Sequence, residues 1–579
     1  MNLTRRDFLE LLSVIGVGIA TDPISAVAKV NKLTYDDLMS FRPVGKASII
    51  FTTDTHGHMK PLYFREPANL VGPKNLAGTP GFIAGYEFLK FYGLKPDTID
   101  CYFDTNVHFI ELAHKYGIMG GTSHIARIIK DIVHERGKEN CLILDNGDTL
   151  TTSAITLFTK GKSMLDWMNL VGYDLFVGHW DFTLGKEEFL KRIKEFKGEF
   201  ISQNIQDEFG ELPFKPYVVK EIGGVKIGIV GNSFPYTPIS NPAKFVEGWT
   251  FGINMDSMQK YVNELRDKHR VDVVILQSHD GLPLDIALTK YVHGIDIIIS
   301  GHTHDITPKV LRYNNTYVVV AGSHGKFVGR IDLKASKGRL EDVSFKLIPV
   351  ATNIVPKDED SEKLLQEYFK PYDEKLNTKI GTTSSLIYKR DTFYSTFDEL
   401  ANDAIMDYYH GIDIVFSPGY RWGATLLPGQ DITINDVYDF TAITYPHVYV
   451  FKLKGSQIKS LLEDMADNVF NPNPIYQQGG DMPRLSKNVY YEIKINEPEG
   501  KRFQVIKING KDLDPNKEYV AATYGGELYK IGTLVQDAKP IPAYDLLINY
   551  IKSKRHIEIT TNPRNLFKVL DEPYNYTTT

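Results

Sequence analysis

Short, almost wholly apolar runs alternate with longer amphipathic stretches between about residue 46 and residue 350. Short runs without polar alternation are typical of strands that are buried on both faces of a sheet. The stretches between them, such as 123–135 and 256–267, have helical periodicity. The pattern therefore predicts a layered α/β domain over 46–350, with strands that include 47–51, 141–144, 175–177, 225–230, 271–276 and 295–299.

The pattern changes after residue 350. An acidic cluster at 358–360 precedes an amphipathic stretch with few large apolar side chains, so we expect 351–380 to form a linker helix between domains. From 381 to 579 the alternation of helical and strand patterns predicts a second α/β domain. Its expected elements are a helix at 397–409, a strand at 413–416, a strand–helix unit at 449–468, and a strand pair at 490–495 and 504–508.

Composition excludes several classes of protein. The chain has 579 residues, of which 42% are hydrophobic and 24% charged, so it is a protein with packed cores rather than a disordered one. Its net charge of −6 gives no overall support for a nucleic-acid-binding surface. The only two cysteines, Cys101 and Cys141, cannot build a disulfide framework or a thiolate metal cluster.

The N-terminal segment contains, in the expected order, the parts of an export signal. The pair Arg5-Arg6 precedes an apolar stretch, Leu11–Ala20, that is too short to span a bilayer, and Ala26-Val27-Ala28 offers a cleavage point. Residues 1–28 are therefore interpreted as a twin-arginine signal, which predicts a periplasmic protein that is exported already folded. The alternative is a basic amphipathic helix that stays attached. No other stretch is long and uncharged enough to span a membrane, so we expect the mature protein to be soluble.

Aspartate and histidine follow directly after five of the predicted strands. Because the carboxyl ends of strands in an open α/β sheet meet at one edge, these side chains are expected to converge there. Carboxylate and imidazole ligands without thiolate suit Mn, Fe or Zn rather than Ca, and a carboxylate can bridge two ions. One such loop is weak evidence, but five in order are strong evidence for a two-metal site. The candidate metal ligands are Asp54, His56, Asp148, His179, His279, His302 and His304.

These loops resemble, in order, the motifs of the calcineurin-like metallophosphoesterases. Further segments are similar to the second domain of bacterial 5′-nucleotidases, including the loop 417–421, which ends in Arg421. The resemblance implies a metal-dependent hydrolase in which Asp148 bridges two ions and, with His179, lies at the reacting centre. We expect Asp54, His56 and His304 on one ion, and His179, His279 and His302 on the other. Arg421 is expected to bind an anionic substrate group, although a surface salt bridge is the alternative.

The third loop departs from the nucleotidase motif. In the nucleotidases it reads Gly-Asn-His-Glu-x-Asp, whereas here it reads Gly178-His179-Trp180-Asp181-Phe182-Thr183. His179 replaces the metal-binding Asn and can still bind metal. Trp180 and Thr183 replace the His and Asp that support the phosphoryl transition state, so we expect poor phosphatase activity.

Three segments narrow the resemblance to the SoxB-type thiosulfohydrolases. They are an insertion at about 60–119, the loop 178–180, and 478–482, which contains Asp481. This resemblance implies two manganese ions, twin-arginine export and a SoxYZ-like carrier protein whose cysteine S-thiosulfonate loses sulfate. Asp481 is a candidate substrate contact, with a tight structural turn at 479–480 as the alternative. The competing functions are a periplasmic 5′-nucleotidase or cyclic nucleotide phosphodiesterase, and a non-catalytic relic, which would require lost ligands that the sequence does not show.

Overall fold

The structure, a computed structural model, describes residues 33–577. The predicted signal, 1–28, lies outside the described residues. Residues 33–40 belong to a small separate unit that contains the helix Tyr35–Met39, and the chain from residue 41 onward is one compact unit. In the part of the chain that is described, no helix has the length and apolarity that a membrane span needs.

The first domain contains two six-stranded sheets, and its fold confirms the predicted layered α/β class. The strands are β1 (Ala47–Thr52), β2 (Cys141–Asp145), β3 (Leu175–Phe176), β4 (Glu199–Phe200), β5 (Ile205–Asp207), β6 (Tyr217–Ile222), β7 (Val225–Asn232), β8 (Trp249–Phe251), β9 (Val273–Ser278), β10 (Ile297–Ser300), β11 (Leu311–Tyr313), β12 (Thr316–Val320), β13 (Phe327–Ser336) and β14 (Arg339–Pro349). One six-stranded sheet has the strand order β14-β13-β1-β2-β3-β4, and the other has the order β11-β12-β10-β9-β7-β6, while β5 and β8 form a separate antiparallel pair.

The central strands of both sheets are parallel and largely buried. β1 to β4 run parallel to one another, as do β7, β9, β10 and β12. β13 pairs antiparallel with β1 and with the edge strand β14, and the edge strands β6 and β11 pair antiparallel with β7 and β12. The sheets meet where their parallel strands end. Gln277 donates from Nε2 to the carbonyl of Asp145 at 2.7 Å, and Asn146 donates from Nδ2 to the carbonyl of Ser278 at 3.2 Å. The carboxyl ends of β2 and β9 are therefore joined directly.

Helices surround these sheets and fill the insertion. The predicted linker holds the helix Glu359–Phe369, which packs on two helices of the first domain. Its neighbour Asp358 binds Lys130 at 2.7 Å, and Tyr368 donates to Asp166, so this helix is anchored to the first domain. The first-domain helices are Gly85–Tyr92, Ile99–Asp104 and Phe109–Tyr116 in the insertion, then Thr122–Arg136, Ala154–Thr159, Lys162–Val171, Lys186–Glu195, Thr237–Ser240, Met255–Asn263 and Leu282–Leu288.

The second domain is also α/β. Its main sheet has the order β21-β17-β25-β20-β26, a four-stranded sheet has the order β24-β23-β22-β29, and a three-stranded sheet has the order β19-β15-β28. The helices are Asp373–Leu376, Thr396–Tyr408, Ile434–Thr441, Gly455–Phe470 and Ala543–Lys554. The strands are β15 (Lys379–Thr383), β16 (Ile387–Tyr388), β17 (Ile414–Ser417), β18 (Thr425–Leu426), β19 (Asp431–Thr433), β20 (His447–Lys454), β21 (Arg484–Leu485), β22 (Val489–Ile493), β23 (Phe503–Ile508), β24 (Lys511–Asp512), β25 (Glu518–Thr523), β26 (Thr533–Leu534), β27 (Ile541–Pro542), β28 (His556–Ile557) and β29 (Phe567–Val569).

Candidate metal centre

The seven candidate ligands converge at the carboxyl ends of the parallel strands. They fall into two groups, and within each group the ligand atoms lie within 4.8 Å of one another. The groups are Asp54, His56 and His304, and Asp148, His179, His279 and His302. Ligands from the ends of β1, β2, β3, β9 and β10 are thus brought together across both sheets.

Left-handed backbone conformations are concentrated in these loops. Five ligands have positive φ angles, although none is a glycine, and such angles are uncommon in residues with a Cβ. These backbone angles persist because the surrounding hydrogen bonds fix the conformation of the loops. The five are Asp54 (50°), His56 (50°), Asp148 (56°), His302 (72°) and His304 (58°).

Hydrogen bonds orient three of the imidazoles toward the centre. His56 Nδ1 lies 3.0 Å from the hydroxyl of Thr152, and His279 donates from Nδ1 to the carbonyl of Asn146. His302 donates from Nε2 to the carbonyl of Gln478 at 3.1 Å. A metal-ligating histidine usually makes such a bond with its other ring nitrogen. These contacts therefore leave His56 Nε2, His279 Nε2 and His302 Nδ1 as the ligand atoms.

The carboxylate of Asp148 lies between the two groups. Its Oδ1 accepts a 2.6 Å hydrogen bond from the main-chain N–H of Trp180. Its Oδ2 lies 3.9 Å from His56 Nε2, 3.6 Å from His179 Nδ1 and 3.3 Å from His279 Nε2. Because Oδ2 faces imidazoles of both groups, this is the position that a bridging ligand would occupy.

The donor set fits a pair of divalent cations. His179 Nδ1 and His279 Nε2 are buried and have no hydrogen-bond partner, which is costly unless a ligand satisfies them. Burial lowers the pKa of His56 to about 3 and holds the pKa of His302 and His304 well below the ordinary value, so these rings are neutral and can bind a cation. Burial would also lower the pKa of His279, but Asp148 and then Asp54 outweigh it and raise that pKa to about 10. The ligand groups and the fold support two divalent ions.

Arg421 and Asp481 lie beside the metal-ligand loop and bind each other. Arg421 donates from Nε to Asp481 at 3.2 Å and from Nη2 to the carbonyl of Gly480 at 2.8 Å. Its Nη1 donates to the carbonyl of Thr303 at 3.2 Å, between the ligands His302 and His304. The predicted anion-binding arginine is therefore largely buried next to the centre and paired with the second predicted substrate residue.

The turn at 479–480 is structural and also approaches a ligand. Gly479 has a φ of +74°, and a Cβ at this position would lie 2.4 Å from His302 Nε2. Only glycine lets this segment of the second domain cross the imidazole so closely. The turn alternative from the sequence is thus present, and the same loop supplies the carbonyl that orients His302.

Two residues that lie next to the candidate ligands, His324 and Arg390, were not predicted from the sequence. His324 follows β12, is completely buried, and has its ring 5.4 Å from His56 and 5.5 Å from His304. Its Nε2 accepts from the N–H of Gly423 at 3.2 Å. The apolar run of β12, followed by Ser323-His324, carried the same signal as the other five loops. Arg390 of the second domain also reaches the ligand loop, but no local pattern marked it.

Both halves of the chain match known families. The calcineurin-like phosphoesterase family matches residues 47–305, and the 5′-nucleotidase C-terminal domain family matches residues 379–529. Protein UshA of Yersinia enterocolitica is 27% identical over 521 residues, which cover 79% of this chain and 90% of that protein.

Solved structures refine the match. The sulfate thiohydrolase SoxB of Thermus thermophilus, solved with glycerol, superposes with a TM-score of 0.90 and 39% identity, covering 93% of this chain and 99% of that one. The chain belongs to the SoxB-type family. A 5′-nucleotidase precursor, also of Thermus thermophilus, shares the fold over 91% of this chain, at 21% identity and a TM-score of 0.71.

In this SoxB-type chain, Trp180 and Thr183 are packing residues. The indole of Trp180 meets the rings of Tyr420, Trp422 and Tyr445 of the second domain at centroid distances of 4.9, 6.0 and 6.1 Å. Thr183 donates from its hydroxyl to the carbonyl of Trp180 at 2.7 Å. Neither side chain offers a charge or a titratable proton where the nucleotidases have His and Asp.

Proposed function

We propose that this protein releases sulfate from a cysteine S-thiosulfonate on a carrier protein, as a dimetal hydrolase of periplasmic thiosulfate oxidation. The observation that carries the proposal is the 39% identity to a sulfate thiohydrolase along 93% of the chain. The substitution of both dyad positions, by Trp180 and Thr183, supports the same choice against a phosphatase. Export of the folded protein by the twin-arginine route and a SoxYZ-like partner are part of the proposal.

The chemistry is compatible with this site. Two divalent ions, Mn(II) in this proposal, would acidify a water molecule and stabilise a tetrahedral cluster of anionic oxygens. Water adds its oxygen to the terminal sulfonate sulfur, and the bond between that sulfur and the adjacent sulfane sulfur breaks. The bonding electrons stay on the sulfane sulfur, so the products are sulfate and a persulfide thiolate on the carrier cysteine, and the two protons of the water pass to solvent. That thiolate is a much weaker base than the alkoxide that leaves a phosphate ester. It therefore departs without the charge stabilisation that the missing dyad would supply.

Residues of this chain hold the substrate in this scheme. The described hydrogen bonds of Arg421 use three of its five N–H donors, so the others can reach a sulfonate oxygen. A cleft of about 430 Å³ is lined by Ser240, Asn241, Tyr420, Gly479 and Asp481, among others. Ser240 lies 3.2 Å from His179 Nε2, so the cleft borders the second ligand group. A narrow carrier tail would enter here.

A 5′-nucleotidase is the second candidate, and the match of residues 379–529 to the 5′-nucleotidase C-terminal domain family favours it. One experiment separates the two functions. The purified protein is assayed for sulfate release from a carrier peptide that bears a cysteine S-thiosulfonate, and for phosphate release from AMP, with metal analysis of the same sample. We expect efficient sulfate release, feeble AMP hydrolysis and two bound ions, with Mn(II) the most effective. Robust AMP hydrolysis without sulfate release would replace the proposal with the nucleotidase.

A further inference from the structure

The first part of the insertion lies against the second domain. Its main chain and side chains make hydrogen bonds to that domain along residues 63–75. The bonds include Thr425 N–H to the carbonyl of Tyr63 (2.7 Å), Arg65 N–H to Thr425 Oγ1 (2.9 Å), Asn69 N–H to Asp391 Oδ2 (3.1 Å), Val71 N–H to Thr392 Oγ1 (3.0 Å) and Lys74 N–H to Asn496 Oδ1 (2.7 Å). We call residues 63–75 the strap. It joins the two domains next to the metal-ligand loops.

Glu66 is the charged centre of the strap. Its Oε1 accepts from Lys326 of the first domain, and its Oε2 accepts from Arg390 Nη1 of the second domain at 2.6 Å. All three side chains are buried, with exposures of 4%, 0% and 1% for Glu66, Lys326 and Arg390. Lys326 also donates to the carbonyl of Phe103, within the insertion, at 2.8 Å. One carboxylate thus compensates two buried cations from different domains.

Arg390 connects this ion pair to the metal centre. Its Nη2 donates to the carbonyl of Thr303 at 2.8 Å, and its Nη1 donates to the carbonyl of His304 at 2.9 Å. These carbonyls belong to the loop that presents His302 and His304, both of which hold left-handed backbone angles. Such angles persist only where surrounding contacts enforce them. The two hydrogen bonds from the guanidinium of Arg390 help to hold this loop in its left-handed conformation.

Arg390 Nη1 donates to both Glu66 and the carbonyl of His304. The orientation of the guanidinium toward the ligand loop therefore depends on Glu66. Glu66 is the only carboxylate that forms a described ion pair with either cation, although the buried Asp104 and Asp305 lie near Lys326 and Arg390. Without Glu66, both buried cations would lose that pair, which is strongly unfavourable. Arg390 would then move or draw in water, and the loop would lose its fixed carbonyl contacts. The strap would in that case remain attached through its main-chain bonds.

We propose that Glu66 is a positioning residue for the dimetal centre. Through Arg390 it fixes the main chain of Thr303 and His304, so that His302 and His304 face their respective ligand groups. This gives the strap a role in metal binding. The role is independent of whether the substrate is a thiosulfonate or a phosphate ester, so it can fail while the proposed function stands.

The test is Mn(II) binding to the metal-stripped Glu66→Gln protein. Equilibrium dialysis with metal analysis gives the affinities, and electron paramagnetic resonance reports whether the two ions are coupled. We expect at least one site to weaken by about 10-fold or more, the cost typical of losing an outer-shell partner, and a spectrum of uncoupled Mn(II). The matched control is Asp332→Asn, which breaks the buried pair with Arg330 (3.1 Å) beside Ser48, at the opposite end of β1 from Asp54.

The control should lower the melting temperature without changing Mn(II) affinity. A second variant, Arg390→Lys, keeps a charge for Glu66 but cannot hold both carbonyls, and it serves if Glu66→Gln does not fold. We expect the same metal defect, and no further loss when the two substitutions are combined. If both single variants bind two coupled ions with wild-type affinity, or if their defects simply add, the positioning role is wrong.

Discussion

The main-chain N–H of Trp180 donates a 2.6 Å hydrogen bond to Oδ1 of Asp148. The bond occupies one oxygen of the carboxylate and leaves Oδ2 to face imidazoles of both ligand groups. The main chain of Trp180 therefore orients the proposed bridging ligand, whereas its indole packs on the second domain. Side-chain changes at position 180 can alter the surroundings of the centre without removing this bond.

Asp148→Ala should abolish activity and lower the content of both ions, because Oδ2 is the oxygen shared by the two groups. The loss should exceed the roughly 10- to 100-fold effect of removing an outer-shell partner. Metal analysis and turnover on the same sample measure it. Asp280→Asn is the control, since burial raises the pKa of Asp280 well above its ordinary value and its partner is Asn232. Full metal content and turnover in Asp148→Ala would exclude the bridging role.

Metal binding should release protons. Asp148 and Asp54 raise the pKa of His279 to about 10 against the effect of burial, so without metal this imidazole is charged at pH 7. Only the neutral ring can bind a cation, so binding displaces its proton, and Mn(II) affinity should rise with pH. Calorimetric titrations in buffers of different ionisation enthalpy count the protons. His279→Gln should release about one proton fewer. A binding enthalpy that is the same in every buffer would contradict the charged state.

The sequence predicted the clustering of the candidate ligands, but not the residues that contact and support their loops. Asp54, Asp148 and His279 could be found because parallel strands end at one edge, and a buried strand is visible as an apolar run. Arg390 and Glu66 could not be found in this way. They meet the ligand loop only because the strap docks on the second domain, and no local periodicity encodes that docking. The domain boundaries, the signal and the carrier partner stay predictions.

Arg421→Lys should raise KM for the carrier substrate several-fold and leave metal content unchanged. Lysine keeps the charge but loses the fork that matches two sulfonate oxygens. The bond from Arg421 to the carbonyl of Thr303 is one of two on that carbonyl, and Arg390 retains the other, so the ligand loop should stay in place.

Steady-state kinetics and metal analysis measure this outcome. Arg502→Lys is the control, because Arg502 is also buried and paired, with Asp467 at 2.7 Å, but none of its described contacts involves the metal loops. An unaltered KM in Arg421→Lys would remove Arg421 from the substrate site. Lost metal would instead make it a support of the loop.

The double substitution Trp180→His with Thr183→Asp tests why the protein should be a poor phosphatase. It restores the residue types that support the phosphoryl transition state in the nucleotidases, and the main-chain bond from residue 180 to Asp148 does not depend on the side chain. Phosphate release from AMP should therefore rise, whereas sulfate release should not, because a persulfide leaves without that stabilisation.

Because Trp180 is packed against the second domain, the double substitution is also expected to lower stability, and a control must separate this effect from catalysis. The smaller imidazole leaves a cavity against Tyr420, Trp422 and Tyr445. Truncation of a buried Phe or Trp to Ala costs about 3–5 kcal/mol, and the change to His removes fewer atoms and should cost less. A lower melting temperature is thus expected, and Trp180→Phe with native Thr183 shows how much of any kinetic change comes from packing alone. If the double variant keeps both ions and the stability of Trp180→Phe yet hydrolyses AMP no faster, the missing dyad is not what limits phosphatase activity. The preference for sulfate would then have to come from the cleft rather than from the third loop.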